Sequence, residues 1–549
     1  MARRAFGERR ASPAGDTLSV RYQHSRAGGW TGVSVNLIDF FDQGASLDPL
    51  RPCLIDDRGS LSYRHVQSSS CRVANALQRD GVGPGTHIAV LSHNSARAFE
   101  CVLGIIRGGC VWVPVNARST VAEVTDILDR TDVTALFYAR ALAETAARIL
   151  AACPAVSKAV CIDGPGEGSV GLDDWLGNAS DAMPQIRVPA DAVATLFCSG
   201  GTSGTPKGVL VTHRTWAHRI GETLLRLRTD RPVHLVAAPM THAAGGIALE
   251  LMVLGATHVI LPGFDPGAVL SAMREHHVTH LFLPPTALYR LLAQPQVRHG
   301  DYSSLRYFTY AAAPIAPDKL LEAIEVFGPV MCHGYGSTEM GASVCWSSPE
   351  MHQTALTSAD RGRLRSCGRP SPLARLAIVN ESGEPCRAGE QGEILLRSYS
   401  LASGYYKCPD EWASAVEGGW FHSGDLGFAD EEGWIYLSDR KKDVINSGGF
   451  KVYPSEIETV LLSHPTVQEC AVIGVPHEDW GETVKAVIEP KSGTLPDVGE
   501  LERLCREKLS GYKIPKSFEI WAELPRSPVG KVLKRRIRER FWTGKGRPV

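Results

Sequence analysis

Ser199-Gly-Gly-Thr-Ser-Gly-Thr-Pro-Lys-Gly208 is the stretch on which the reading of this chain turns. It gathers four glycines and four hydroxyl residues around one lysine. Glycines let the backbone approach a ligand and present its amide N–H groups, hydroxyls add donors, and Lys207 adds charge. The combination suits a polyphosphate. It is not a Walker A loop, because Pro206 precedes the lysine and the GxxxxGK[ST] spacing fails.

The run at 192–198 feeds directly into this loop and reads as a strand. Working outward, Ile88-Ala-Val-Leu91, Val111-Trp-Val-Pro-Val115, Thr134-Ala-Leu-Phe-Tyr138 and Ala159-Val-Cys-Ile162 are short β-branched runs, and 96–106 reads as a helix. Val233-His-Leu-Val236, His258-Val-Ile-Leu261 and His280-Leu-Phe-Leu283 continue the series downstream. Strands separated by helical stretches predict parallel α/β layers from about residue 60 to 372. After about residue 375, Leu376-Ala-Ile-Val379, Glu393-Ile-Leu-Leu396 and Trp434-Ile-Tyr-Leu437 lie between Gly-rich turns and predict a small β-rich subdomain. Beyond the charged run Asp439-Arg-Lys-Lys-Asp443 comes a smaller α+β unit. There Ser455-Glu-Ile-Glu458 has capping-box spacing, Ile457, Val460 and Leu461 form a helical stripe, 470–474 and 484–489 read as strands, and 500–509 reads as a helix. The expected layout is a flexible tail over 1–30, a large N-terminal domain over 31–438, a charged junction at 439–442 and a small C-terminal domain over 443–549.

A chain of 549 residues is too long for one core, which agrees with that division. Apolar residues make up 44% and charged residues 21%, and 58 Lys plus Arg face 59 acids, so nothing advertises nucleic acid as a partner. The Arg-rich start lacks the apolar core of a secretory signal. The apolar window 245–264 contains Glu250 and His258 and reads as a buried helix followed by a strand, so no membrane span is expected. Fourteen cysteines with no CxxC pair read as reduced thiols of a cytoplasmic protein. Cys198 has no motif that places a base beside it.

Further motifs follow the loop in order: Tyr335-Gly-Ser-Thr-Glu339, Gly368-Arg-Pro370, Gly404-Tyr-Tyr406, Trp420-Phe-His-Ser-Gly-Asp-Leu-Gly427, Asp439-Arg-Lys-Lys-Asp443, Gly448-Gly-Phe-Lys-Val-Tyr-Pro-Ser-Glu456 and Pro525-Arg-Ser-Pro-Val-Gly-Lys531. Together they resemble the superfamily of acyl- and aryl-CoA synthetases, peptide-synthetase adenylation domains and luciferases, over about residues 35–540. The layout is most similar to a free-standing acyl-CoA ligase. The resemblance implies that Ser199, Gly200, Gly201, Thr202, Ser203, Gly204 and Lys207 grip the phosphates of ATP, and that Tyr335, Gly336 and Ser337 border the adenine. It implies that Thr338 contacts the α-phosphate and that Glu339 holds Mg²⁺, a hard cation suited to carboxylate and phosphate oxygens. Asp425 is expected to accept the ribose hydroxyls, as an acceptor-only carboxylate can, and Arg440 to touch the nucleotide.

Lys531 is implied as the catalytic cation. The reaction joins two anions, a carboxylate and the α-phosphate, and two unit charges about 4 Å apart repel by roughly 4 kcal/mol at an effective dielectric near 20. A bridging lysine removes that penalty and neutralises charge that develops in the transition state. Lys442 maps to the hinge of a domain rotation that withdraws Lys531 and brings Gly448, Gly449 and Lys451 to a pantetheine channel, which implies CoA as acceptor. The acyl pocket is implied along 242–246, 310–314 and 340–344, with His242, Gly245, Gly246, Tyr310, Ala311, Ala312, Ala313, Gly334 and Met340 as its walls. Ala311-Ala312-Ala313-Pro314 departs from the family's usual glycine pair before Ala-Pro.

These features predict an enzyme that converts a small carboxylic acid, apolar or aromatic, to acyl-AMP with release of pyrophosphate and then to acyl-CoA. A second possibility keeps the adenylation and changes the oxyanion or the acceptor: a carrier-protein thiol, an amine, or nitrite passed to an aryl amine. A third, a non-catalytic nucleotide-binding protein, predicts loss of Lys531, Glu339 or Asp425, and all three are present. The oligomeric state stays open between monomer and homodimer.

Overall fold

The computed structural model describes residues 35–166, 169–199, 207–358, 361–527 and 530–542. The expected tail over 1–30 and the loop positions Gly200, Gly201, Thr202, Ser203 and Gly204 lie outside the described residues.

Two large mixed sheets form the bulk of the chain. In the eight-stranded sheet, His87–Ser92 pairs in parallel with Val111–Asn116 and Ala135–Tyr138. Val111–Asn116 is buried along its whole length, as expected for a parallel strand covered on both faces. Pro114 sits within it and has no N–H to give. On the side of Val193–Ser199 the ladder keeps one registered pair, Trp112 with Thr195. Val193–Ser199 then pairs antiparallel with Lys207–Thr212, the strands on either side of the Gly-rich run. The nine-stranded sheet runs in parallel through Thr257–Ile260, Val233–Val236, His280–Leu283, Tyr307–Ala311 and Met331–Ser337. It turns antiparallel at Gly341–Ser347.

The β-rich subdomain is a five-stranded antiparallel sheet built from Ala374–Val379, Gly392–Ser398, Trp420–Ala429 and neighbours. Its strand Ile435–Arg440 is the last before the chain passes at 441–444 into a separate five-stranded sheet beginning at Ile445–Ser447. That last sheet has its own apolar clusters, one around Ile457, Val472, Ala486 and Leu501, the other around Ile473, Val487 and Ile537. The fold is thus mixed α/β, with a large N-terminal domain and a smaller C-terminal one. No described helix is long and apolar enough to cross a membrane.

One local expectation is corrected. The helix at Ser455 begins a residue earlier, as Pro454–Leu462 with Tyr453 at its N-cap, and no capping box forms. Pro454 takes the first turn, where its missing N–H costs nothing. Ser455 instead binds outside the helix: its N–H donates to Asp439 Oδ2 at 2.8 Å and its hydroxyl to the Ser438 carbonyl. The serine therefore ties the C-terminal unit to the end of the preceding sheet.

Candidate active site

Residues 335–340 are the hub. The strand Met331–Ser337 delivers Tyr335 and Ser337, and the turn that follows carries Thr338 and Glu339. Three contacts pin this turn. Arg219 Nη2 donates to the Thr338 carbonyl at 2.9 Å, Ala402 N–H to the Glu339 carbonyl at 2.7 Å, and Ser400 Oγ to the Met340 carbonyl at 3.1 Å. Arg219 also donates through Nε to the Ser400 carbonyl at 3.2 Å, bracing both segments at once.

Glu339 is held at both oxygens by neutral hydroxyls: Ser337 Oγ donates at 2.9 Å and Tyr405 OH at 3.2 Å. Neutral donors leave its negative charge uncancelled and spare lone pairs on each oxygen. This donor set fits Mg²⁺, which binds through one or two carboxylates together with phosphate oxygens. Lys207, opposite Ser199 in the antiparallel register, pairs with Glu411 and places its ammonium 5.0 Å from the Tyr405 ring centroid. Tyr405 and Glu411 thereby join the loop lysine to Glu339. Neither was assigned a role in the sequence analysis.

A second group converges on Asp425. This residue and Arg440 are cross-strand neighbours, and Arg440 Nε lies 3.0 Å from Asp425 Oδ1. The Tyr335 hydroxyl donates to Asp425 Oδ2 at 2.8 Å. Burial, then the Asp425 charge, pushes the Tyr335 phenol well above its ordinary value, so it stays a neutral donor. The Tyr335 ring is 6% exposed and packs with Met340, Val344 and Phe421, so what it offers the site is its hold on Asp425.

Lys531 comes to this group from the small domain. It sits on a turn in which Ser527 N–H donates to the Lys531 carbonyl at 2.7 Å, and Gly530 has φ +86°, a left-handed conformation that a side chain would strain. Lys531 is exposed to solvent. The protein crowded around it, then the Arg440 guanidinium, lower the pKa of its ammonium below the usual lysine value, while Asp425 and Asp443 pull the other way. Lys442 is lowered to about 8, first by partial burial; Arg440, Arg538 and Lys531 act in the same direction and Asp443 against. Gly448, Gly449 and Lys451 lie apart from this group: Gly448 N–H donates to the Trp480 carbonyl at 3.1 Å and Lys451 pairs with Glu381. Cys198 is no activated thiol, because burial pushes it up to about 12.

Of the expected acyl-pocket walls, Ala311 lines a cavity together with Ala243, Ile247, Phe282, Thr309, Ser343 and Trp346. Tyr310 is corrected. Side chains alternate along a strand, so Thr309 and Ala311 face the cavity and Tyr310 faces the opposite way. It is fully buried, stacked on His333 at 4.6 Å and bonded to His352 Nε2 at 3.0 Å. Met340 is corrected likewise: at 1% exposed it belongs to the core. Gly334 backs the cavity, since a Cβ there would stand 2.5 Å from Ser343 Oγ. Gly245 is required by the helix start, where a Cβ would meet the Met240 carbonyl oxygen at 1.8 Å, whereas a Cβ at Gly246 would make only an ordinary contact with Trp216 at 3.7 Å. His242 caps that helix and shares a hydrogen bond of 2.9 Å with Thr241 Oγ1. Desolvation by the surrounding protein lowers its pKa below the ordinary imidazole value.

Ala312 and Ala313 follow the strand, and Ala312 has φ +73°. A non-glycine residue there carries strain of about 1–2 kcal/mol. Ala312→Gly is expected to raise stability by about 0.5–1 kcal/mol, strain relief outweighing the flexibility glycine adds to the unfolded chain. Urea denaturation checks this; a lower midpoint would show that the φ value carries no strain.

Comparison with known proteins agrees with this geometry. Residues 41–406 match the family model "AMP-binding enzyme", and 456–531 match "AMP-binding enzyme C-terminal domain". The chain is 35% identical over 487 residues to a feruloyl-CoA synthase of Amycolatopsis sp, covering 88% of this chain and 94% of that one. The solved amide bond synthetase McbA of Marinactinospora thermotolerans superposes with a TM-score of 0.83 at 29% identity, covering 92% of this chain and 100% of that one. The anthranilate CoA ligase AuaEII, solved with anthranoyl-AMP, superposes with a TM-score of 0.85 at 25% identity, covering 93% and 98%.

Proposed function

The chain belongs to the AMP-binding enzyme family, among the adenylate-forming CoA ligases, and on that footing we propose that it activates an aromatic carboxylic acid with ATP, releases pyrophosphate, and passes the acyl group to CoA. The observation that carries the proposal is the carboxylate Asp425, gripped by Arg440 Nε at 3.0 Å on one oxygen and by the Tyr335 hydroxyl at 2.8 Å on the other. Asp425 keeps a free lone pair on each oxygen for the ribose hydroxyls, while Arg440 and Tyr335 fix its orientation. Lys531 spans the carboxylate and the α-phosphate, lowering their repulsion during attack. Thr338, on the turn that Arg219 braces, meets the α-phosphate. Lys207 and the loop before it take the outer phosphates. Magnesium held by Glu339 would supply charge neutralisation on the phosphate oxygens.

The aromatic acid is supported by the apolar side of the cavity and by the relatives, whose names specify ferulate and anthranilate. The chain after Arg440 serves in this proposal as the hinge. Screening pyrophosphate release over a panel of aliphatic and aromatic acids, with and without CoA, tests the proposal. Acid-dependent release with CoA consumed to a thioester is expected; a final product other than the thioester, formed equally with CoA omitted, would replace the proposed acceptor.

The lysine also sets a pH dependence. Lys531 acts as a cation, so adenylation is full below its pKa and is lost as pH rises through it. Because that pKa is lowered, the alkaline fall in kcat/KM, which reports the free enzyme, is expected below the ordinary lysine value of 10.5. The residual activity of Lys531→Ala should lack that limb; an unchanged limb would assign it elsewhere.

A further inference from the structure

The cavity beside Ala311 has a polar floor that adenylation does not require. Along the helix His213–Arg226, Arg219, Glu222, Thr223 and Arg226 recur at i, i+3, i+4 and i+7, the spacing of an apolar core face. Glu250 joins them from the helix Ala243–Leu251, and His234 and His280 from two adjacent parallel strands. All line the same cavity. Glu222, Glu250, His234 and His280 are each no more than 5% exposed.

Buried charge is a weak source of stability, since desolvation offsets the attraction. The ion network here is also incompletely paired. Thr223 Oγ1 donates to Glu250 at 2.7 Å, and Arg226 lies 3.7 Å from Glu222 with its guanidinium over the Trp346 ring at 5.7 Å. Yet among the described residues Glu222 Oε1, Arg226 Nη2, His234 Nε2, His280 Nε2 and Trp346 Nε1 have no hydrogen-bond partner. Native interiors leave few such atoms, and here five belong to residues around one cavity.

The balance of charge narrows what fits. Two guanidinium groups face two carboxyls; burial raises both carboxyls, Glu250 to about 7, and keeps the imidazoles neutral, with His280 down to about 4. A second carboxylate or an ammonium would bring a further charge into a site that already disfavours charge. A neutral group that both donates and accepts satisfies a carboxylate and a guanidinium together. The apolar lining of Ala243, Ile247, Leu281 and Phe282 is left for a ring.

We propose that this cavity receives the far end of the acid, and that the substrate is an aromatic carboxylic acid bearing a neutral hydroxyl or amino group read by Glu222, Arg226, Glu250 and the two histidines. The proposal rests on the adenylation chemistry above. Its test measures kcat/KM of pyrophosphate release by the full chain for benzoate and cinnamate, each unsubstituted and with hydroxyl, amino or carboxyl at the 3 or 4 position.

A hydroxy or amino acid is expected to exceed its unsubstituted parent by about ten- to a hundredfold, as hydrogen bonds to charged groups do. The two series tell hydroxyl from amine. Glu222→Gln and Glu250→Gln should each shrink that ratio severalfold, and because both substrates meet the same protein, any loss of folded enzyme cancels. An unsubstituted or carboxyl-bearing acid preferred, a ratio unmoved in both variants, or turnover of aliphatic acids alone would overturn this proposal and leave adenylation standing. No release from any acid would instead remove the adenylation proposal itself.

Discussion

Lys531→Ala is expected to lower acid-dependent pyrophosphate release by about two to three orders of magnitude, the usual cost of removing a preorganised electrostatic group. The expectation follows from where the lysine sits. Its ammonium is within the field of Arg440 and Asp425, on a turn whose backbone is tied by Ser527 and shaped by Gly530. No other lysine is assigned to the reacting atoms in the proposed mechanism. Thioester formation from preformed acyl-AMP should survive the substitution, because the charge repulsion that Lys531 relieves belongs to the first half-reaction. Equal losses in both half-reactions would remove the role assigned here.

Lys442→Pro is expected to do the reverse. The segment 441–444 joins the strand Ile435–Arg440 of one sheet to Ile445–Ser447 of another. A proline fixes φ near −65° and restricts the residue before it, so a rotation through this segment is blocked while the present arrangement is retained. Acyl-AMP should form at a near-normal rate and accumulate, with thioester formation down by about tenfold or more, an effect of the size that gating motions carry in enzymes limited by closure or release. Single-turnover assays that follow acyl-AMP and acyl-CoA separately decide it. Unchanged thioester turnover would move the hinge elsewhere.

The strands were legible because parallel, doubly covered strands are written as β-branched runs: Val111–Asn116 and His280–Leu283 fall where their composition places them. The helix at Ser455 was misread at its first turn because Pro454 competes for the start and tertiary contacts with 438–439 claim the serine. Asp425, Arg440 and Lys531 were legible only through ordered motifs, since their meeting spans two sheets that no local pattern links. The cavity was the least legible part. Tyr310 was assigned to it from its neighbours in sequence, but strand alternation turns it away. The polar floor escaped because the helix His213–Arg226 was not counted among the walls. A signal was present there: Arg219, Glu222 and Arg226 occupy core-face spacing around Trp216, and charged residues at such positions mark a buried polar site.

In the proposed reaction the acid's own oxygen attacks the α-phosphate. It is tested most directly with an acid that supports pyrophosphate release, labelled with ¹⁸O in its carboxylate, followed through turnover with CoA. The AMP formed should carry one ¹⁸O atom, left behind when the thiol displaces the adenylate. AMP without label, its new oxygen drawn from water, would contradict the account.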